Sequence, residues 1–144
     1  MANPIMNPKL YAKITGIVLA AVAVLGLVLS LANDGKFIEG FLMFDLTHDI
    51  VHVVLAGVAL YVGFAATNAM ARLYAQVFGI VYLALGVVGF VWPGVQATTT
   101  TTMGILGLEL GENLVHIAVG AWGVVAGFFS TKDTMATGAT TMRA

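Results

Sequence analysis

Apolar residues fall into four long blocks separated by short polar stretches. The blocks predict helical spans at about 10–31, 47–66, 73–92 and 112–130. About 20 residues at 1.5 Å rise each cross a hydrocarbon core of roughly 30 Å. The first block is broken only by Lys13, Thr15 and Ser30. Ser30-Leu31-Ala32 resembles a signal-peptide cleavage site, but the apolar run before it is long for that role. The third block ends at Trp92, where Pro93-Gly94 breaks the helix. A short polar turn, Thr67–Arg72, joins the second and third blocks. Two longer segments remain. In residues 32–45, Phe37, Phe41 and Phe44 share one helical face. They predict either a short helix lying on the membrane surface or a loop with aromatic anchors. Residues 95–111 hold the low-complexity run Thr98–Thr102. The head before residue 10 reads as irregular. The tail from Thr131 is small and polar, as mobile termini are.

Composition agrees with the pattern. Of 144 residues, 60 % are hydrophobic and 9 % charged, with a mean hydropathy of +0.98. A soluble domain carries about one quarter charged residues. The chain is therefore expected to be a single integral membrane domain, 1–144. With no cysteine, disulfide and thiolate chemistry are excluded. A net charge of −1 gives no footprint for nucleic acid.

The blocks repeat. Leu10-Tyr11-Ala12-Lys13-Ile14-Thr15-Gly16-Ile17-Val18 aligns with Leu73-Tyr74-Ala75-Gln76-Val77-Phe78-Gly79-Ile80-Val81, and six of the nine positions are identical. Leu46-Thr47-His48-Asp49-Ile50-Val51-His52 aligns with Leu110-Gly111-Glu112-Asn113-Leu114-Val115-His116. The unit is a two-helix hairpin used twice, about 10–66 and 73–130. A unit of two spans returns the chain to its starting side. The repeats are therefore parallel, related by a pseudo-twofold axis along the membrane normal, and inverted repeats are excluded. The expected fold is an all-α four-helix transmembrane bundle.

Charge sets an orientation. The head, the 67–72 turn and the tail carry Lys9, Lys13, Arg72, Lys132 and Arg143 against Asp133 alone. The long loops and adjoining helix starts carry Lys36 against Asp34, Glu39, Asp45, Asp49, Glu109 and Glu112. Lys and Arg collect on the cytoplasmic side. This predicts a plasma (inner) membrane protein with both termini cytoplasmic and both histidine stretches near the outer surface. Tyr11 and Tyr74 are then expected at the inner interface, and Trp92 at the outer one.

Lipid removes the hydrophobic drive between helices, so contacts need small residues. Ala12, Gly16 and Ala20, Ala59 and Gly63, and Gly123-x-x-x-Gly127 supply them. They predict one close-packed bundle or, alternatively, a dimer face.

The chemistry gathers at the repeated stretches. His48 and His52 are four apart on one helix face, and so are Glu112 and His116. A pseudo-twofold axis sets the two pairs face to face, where ionisable groups avoid lipid. Three main readings stay open. In the first, the cluster is interhelical glue: Asp49 and Asn113 form a structural polar cluster, capping helix starts and accepting from the opposite histidines. His48 and Glu112 then form a partly solvated ion pair. In the second, His48, His52, Glu112 and His116 ligate a divalent metal ion. In the third, His52 and His116 bind a tetrapyrrole, haem or chlorophyll-type, with Gly57, Gly120 and Gly123 making room for the ring. A proton relay through the acids is a lesser possibility. No nucleophile–base pair, phosphate loop or metalloprotease signature is present, so no catalytic residues are expected. The expected role is a structural or accessory subunit, or binding module. Its partners are the bilayer and other membrane subunits or a second copy.

The third and fourth helices carry Ala-Arg-Leu-Tyr-Ala-x-Val-Phe-Gly-Ile-Val-Tyr from Ala71, then Asn-Leu-Val-His from Asn113. These motifs resemble a family of small bacterial four-helix membrane proteins catalogued as domain of unknown function 4383. The first two helices match more loosely, with Asp49 in place of Asn and His48 as an addition. The resemblance implies a four-helix fold and marks Asn113, His116, Asp49 and His52. It supplies no activity.

Overall fold

A computed structural model describes residues 3–32, 36–38, 42–43, 46–91 and 110–130. The run Thr98–Thr102, Trp92, Phe41, Phe44 and the tail lie outside them. Four helices dominate: α1 (Pro8–Ala32), α2 (Leu46–Phe64), α3 (Asn68–Val91) and α4 (Leu110–Phe128). All four are long and apolar enough to cross a membrane.

Local chemistry sets the helix starts. Asn7 Oδ1 accepts from Leu10 N at 3.1 Å, and Pro8 opens α1, where its missing N–H costs nothing. Thr67 Oγ1 accepts from Met70 N at 3.2 Å. This cap starts α3 at Asn68, so most of the expected 67–72 turn is the first turn of α3. The head is not wholly irregular: Pro4–Met6 form a 3-10 turn, and Trp122 Nε1 donates to Ile5 O at 3.0 Å. Between α1 and α2, β1 (Lys36–Ile38) and β2 (Leu42–Met43) pair antiparallel. This corrects the surface-helix reading of residues 32–45. Three aromatic positions at helical spacing do not outweigh a local chain reversal that pairs backbone groups.

The bundle is arranged inside-out relative to a soluble protein. Large side chains such as Ile17, Val24, Val54, Tyr61, Val77 and Phe128 are exposed. Much of the buried surface comes from Ala12, Ala23, Ala59, Ala71, Ala75 and Ala126. That arrangement suits lipid, where small residues let backbones approach. Each hairpin packs tightly along its length, and the hairpins meet each other less closely. The tight contacts fall at counterpart positions. A Cβ on Gly16 would meet Leu60 N at 2.9 Å, and one on Gly79 would meet Val124 N at 2.5 Å. Gly63 packs on Lys13, and Gly127 on Gln76. The small residues are thus used inside the bundle. Helix ends are tied similarly. Lys9 Nζ donates to Val62 O at 3.2 Å and also to Ala66 O. Arg72 Nε and Gln76 Nε2 both donate to Gly127 O at 3.0 Å. These donors occupy carbonyls that a helix C-terminus leaves unpaired.

Tyr11 turns inward and does not face an interface as expected. Tyr11 is fully buried, with its ring 5.0 Å from that of Trp122 and 6.1 Å from that of Tyr74. Its hydroxyl donates to Val119 O at 3.3 Å. A Cβ on Gly123 would meet the Tyr11 hydroxyl oxygen at 2.6 Å, so this glycine leaves room for the ring.

Gly79→Ala is expected to cost about 1–3 kcal/mol by overpacking. Gly57, whose Cβ would meet nothing within 4 Å, is the control: Gly57→Ala should be neutral or stabilise by roughly 0.5–1 kcal/mol. Unfolding of the two variants in detergent checks this. Equal stability would remove glycine contact as the basis of hairpin packing.

Candidate functional site

The polar residues of α2 and α4 lie in the first two turns of each helix. This follows from the sequence: each helix opens on the aligned stretch, so a four-residue step turns both of its members to one face. His48, His52, Glu112 and His116 all line a single cavity of about 210 Å³. Each of the four is at most 8 % exposed. The structure therefore brings together all four residues of the predicted cluster.

Their surroundings differ in part from the expected ones. His48 Nδ1 lies 3.3 Å from Glu112 Oε1, joining the two hairpins. The pair is buried, not partly solvated. Asp49 and Asn113 are fully buried. Asp49 Oδ2 accepts from Ser30 Oγ at 2.7 Å, a bond within the first hairpin. Asn113 packs against Gly89 within the second. Asp49 and Asn113 thus face their own hairpins, while His48 and Glu112 face each other. His52 Nδ1 and His116 Nδ1 are buried and have no hydrogen-bond partner among the described residues.

Apart from Thr15, the remaining walls are apolar. Ile14, Val18, Val22 and Leu25 of α1 form one side, and Val115 and Val119 of α4 another. Tyr82 and Trp122 close it with aromatic surface. Tyr82 sits edge-on to His116, with ring centroids 4.7 Å apart. Sequence reasoning missed Tyr82 and Trp122. The signal for Tyr82 was available in Tyr74, Phe78 and Tyr82, a four-residue stripe whose rings stack in sequence at 4.9 and 4.1 Å.

Residues 72–141 match the family model of a domain of unknown function, DUF4383. This is the family that the motifs of the third and fourth helices resemble. The DUF4383 match includes Tyr82, Glu112, Asn113, His116 and Trp122 and leaves out His48 and His52. The cavity is thus lined both from the DUF4383 segment and from the first hairpin. No curated protein and no solved structure matches the chain.

The geometry bears on the cofactor readings. Among the described residues, no three His, Cys, Asp or Glu side chains are grouped to hold a metal ion. An ion at His48, His52, Glu112 and His116 would require those side chains to move together first. The glycines suggested for a tetrapyrrole are used otherwise. Gly57 faces open space, Gly120 packs on Leu83, and Gly123 on Gly79 and Tyr11.

Removing one member of a buried ion pair strands the other charge, at a cost of about 3–5 kcal/mol. Glu112→Leu or His48→Leu alone should destabilise the bundle by that order. The double variant should recover most of the loss. A double-mutant cycle in detergent measures this, and additive single effects would mean that the pair contributes no coupling.

Proposed function

We propose that the protein is a small non-enzymatic membrane binding module, an accessory component that holds a small molecule within its own bundle. The carrying observation is the pair of buried imidazoles, His52 and His116, that line a cavity while the Nδ1 of each has no hydrogen-bond partner among the described residues. Burying a polar group unpaired costs about 1–3 kcal/mol. Histidines retained only as glue would be expected to bond across the helices, as His48 does with Glu112. The non-enzymatic reading rests on the absence of a nucleophile–base arrangement in the sequence. The placement of both termini on the cytoplasmic side rests on the cluster of Lys9, Lys13 and Arg72 at one end. A Thr67→Cys variant, unique in a chain without cysteine, should then react with an impermeant thiol reagent only from the cytoplasmic side.

Native mass spectrometry and elemental analysis of the detergent-purified chain test the binding reading. A species bound to the wild type should be absent from a folded His52→Ala/His116→Ala variant. A wild type that carries nothing, with a variant that differs only in thermal stability, would reduce the histidines to packing.

A further inference from the structure

The cavity is a slot, and two helices give its length independently. On α1 its lining runs from Ile14 to Leu25, and on α4 from Glu112 to Trp122. At 1.5 Å rise per residue each stripe is roughly 15–17 Å long. A volume of about 210 Å³ drawn out over that length is narrow. The slot lies along the helix axes and therefore along the membrane normal. Its length is about that of one leaflet, half of a hydrocarbon core of roughly 30 Å. One side of it is open. The floor, formed by Leu19, His52, Tyr82 and His116, is at most 8 % exposed, whereas the edges, Ile14, Val18 and Leu25 of α1 and Val115 of α4, are 39–52 % exposed. The open side lies between α1 and α4, which belong to different hairpins and pack less closely than the helices within either one.

We propose that this slot binds one acyl chain of a phospholipid from the leaflet at the histidine end of the bundle. The inference rests on the binding-module reading above and names its ligand. The lining surface is apolar almost throughout, and the Nδ1 atoms of His52 and His116 are buried away from it. The two rings therefore form part of an apolar floor. A slot lined in this way stays dry. Left empty, it forfeits dispersion contacts along its whole length, and in a bilayer the group at hand to supply them is the acyl chain. Shape separates this occupant from the others. A compact ring fills one part of so long a slot and leaves the rest void. A helix of a second copy, about 10–12 Å across, is wider than the slot. The lining also holds none of the glycine or alanine that lets helices approach in lipid. A linear chain lying along the membrane normal fills the slot from end to end and stays within its own leaflet.

Trp122 reports from the end of the slot farthest from His48 and Glu112. In a Trp92→Phe background it is the sole tryptophan of the chain. The full chain is placed in nanodiscs of dioleoyl phosphatidylcholine with a rising share of the same lipid brominated along its acyl chains, which quenches indole on contact. Quenching of Trp122 should fall at least two-fold in Val18→Phe/Val115→Phe, which fills the slot from both edges without touching a polar group. Val24→Phe, exposed on α1 but outside the slot, should quench as its parent does. After transfer from unbrominated nanodiscs to detergent, native mass spectrometry should find one phospholipid retained per chain, and at least ten-fold less in the filled variant. If the double variant loses helical circular dichroism, Val115→Phe alone decides. Quenching or retention that is unchanged in the filled variant would overturn the proposal, as would a lipid-free dimer. A different species, retained by the parent and lost from a folded His52→Ala/His116→Ala variant, would overturn the acyl-chain assignment and uphold the binding module. A parent that retains nothing and quenches no more than the filled variant would sink both.

Discussion

A bilayer gives helices no hydrophobic reason to associate with one another, so the contact distance between backbones becomes decisive. In this chain that distance is set by glycine. Gly16 and Gly63 bring α1 against α2, and Gly79, Gly120 and Gly127 bring α3 against α4. No comparable row of glycines draws the two hairpins together. They meet instead at the Tyr11 ring near the turn end and at the His48–Glu112 pair near the other. Tight hairpins joined at two levels leave space between those levels. The cavity is thus a consequence of where the glycines are and where they are not.

Polar groups at this depth are tolerated only when satisfied or used. Asp49 is answered by Ser30, and the carbonyls at the far end of α2 by Lys9. His48 answers Glu112 across the bundle. His52 and His116 stand apart from this economy: they sit one turn deeper than His48 and Glu112 and face the cavity. One turn, about 5.4 Å, separates the joining pair from the open pair. The same four-residue spacing that aligns the residues on one face therefore assigns them different work.

Much of this was legible from the chain. Four apolar blocks gave four helices, and glycine spacing gave the packing faces, because both depend on short-range periodicity. Convergence of His48, His52, Glu112 and His116 was legible because the two stretches align. Partner choice was not. Ser30 bonding Asp49 depends on the register of α1 against α2, which no local pattern encodes. The inward turn of Tyr11 was hidden because tyrosine near a helix end reads as an interface anchor. The strands at 36–38 and 42–43 were obscured by phenylalanines whose spacing imitates a helix.

The central claim is that His52 and His116 line a cavity buried within the membrane-spanning bundle. Nuclear magnetic resonance of the histidine rings in nanodiscs tests it most directly, with a nitroxide carried either on a lipid acyl chain or on a water-soluble chelate. The account predicts that the acyl-chain nitroxide broadens the His52 and His116 ring signals and that the water-soluble agent leaves them sharp. Broadening by the water-soluble agent and not by the acyl-chain nitroxide would contradict a cavity set within the bilayer.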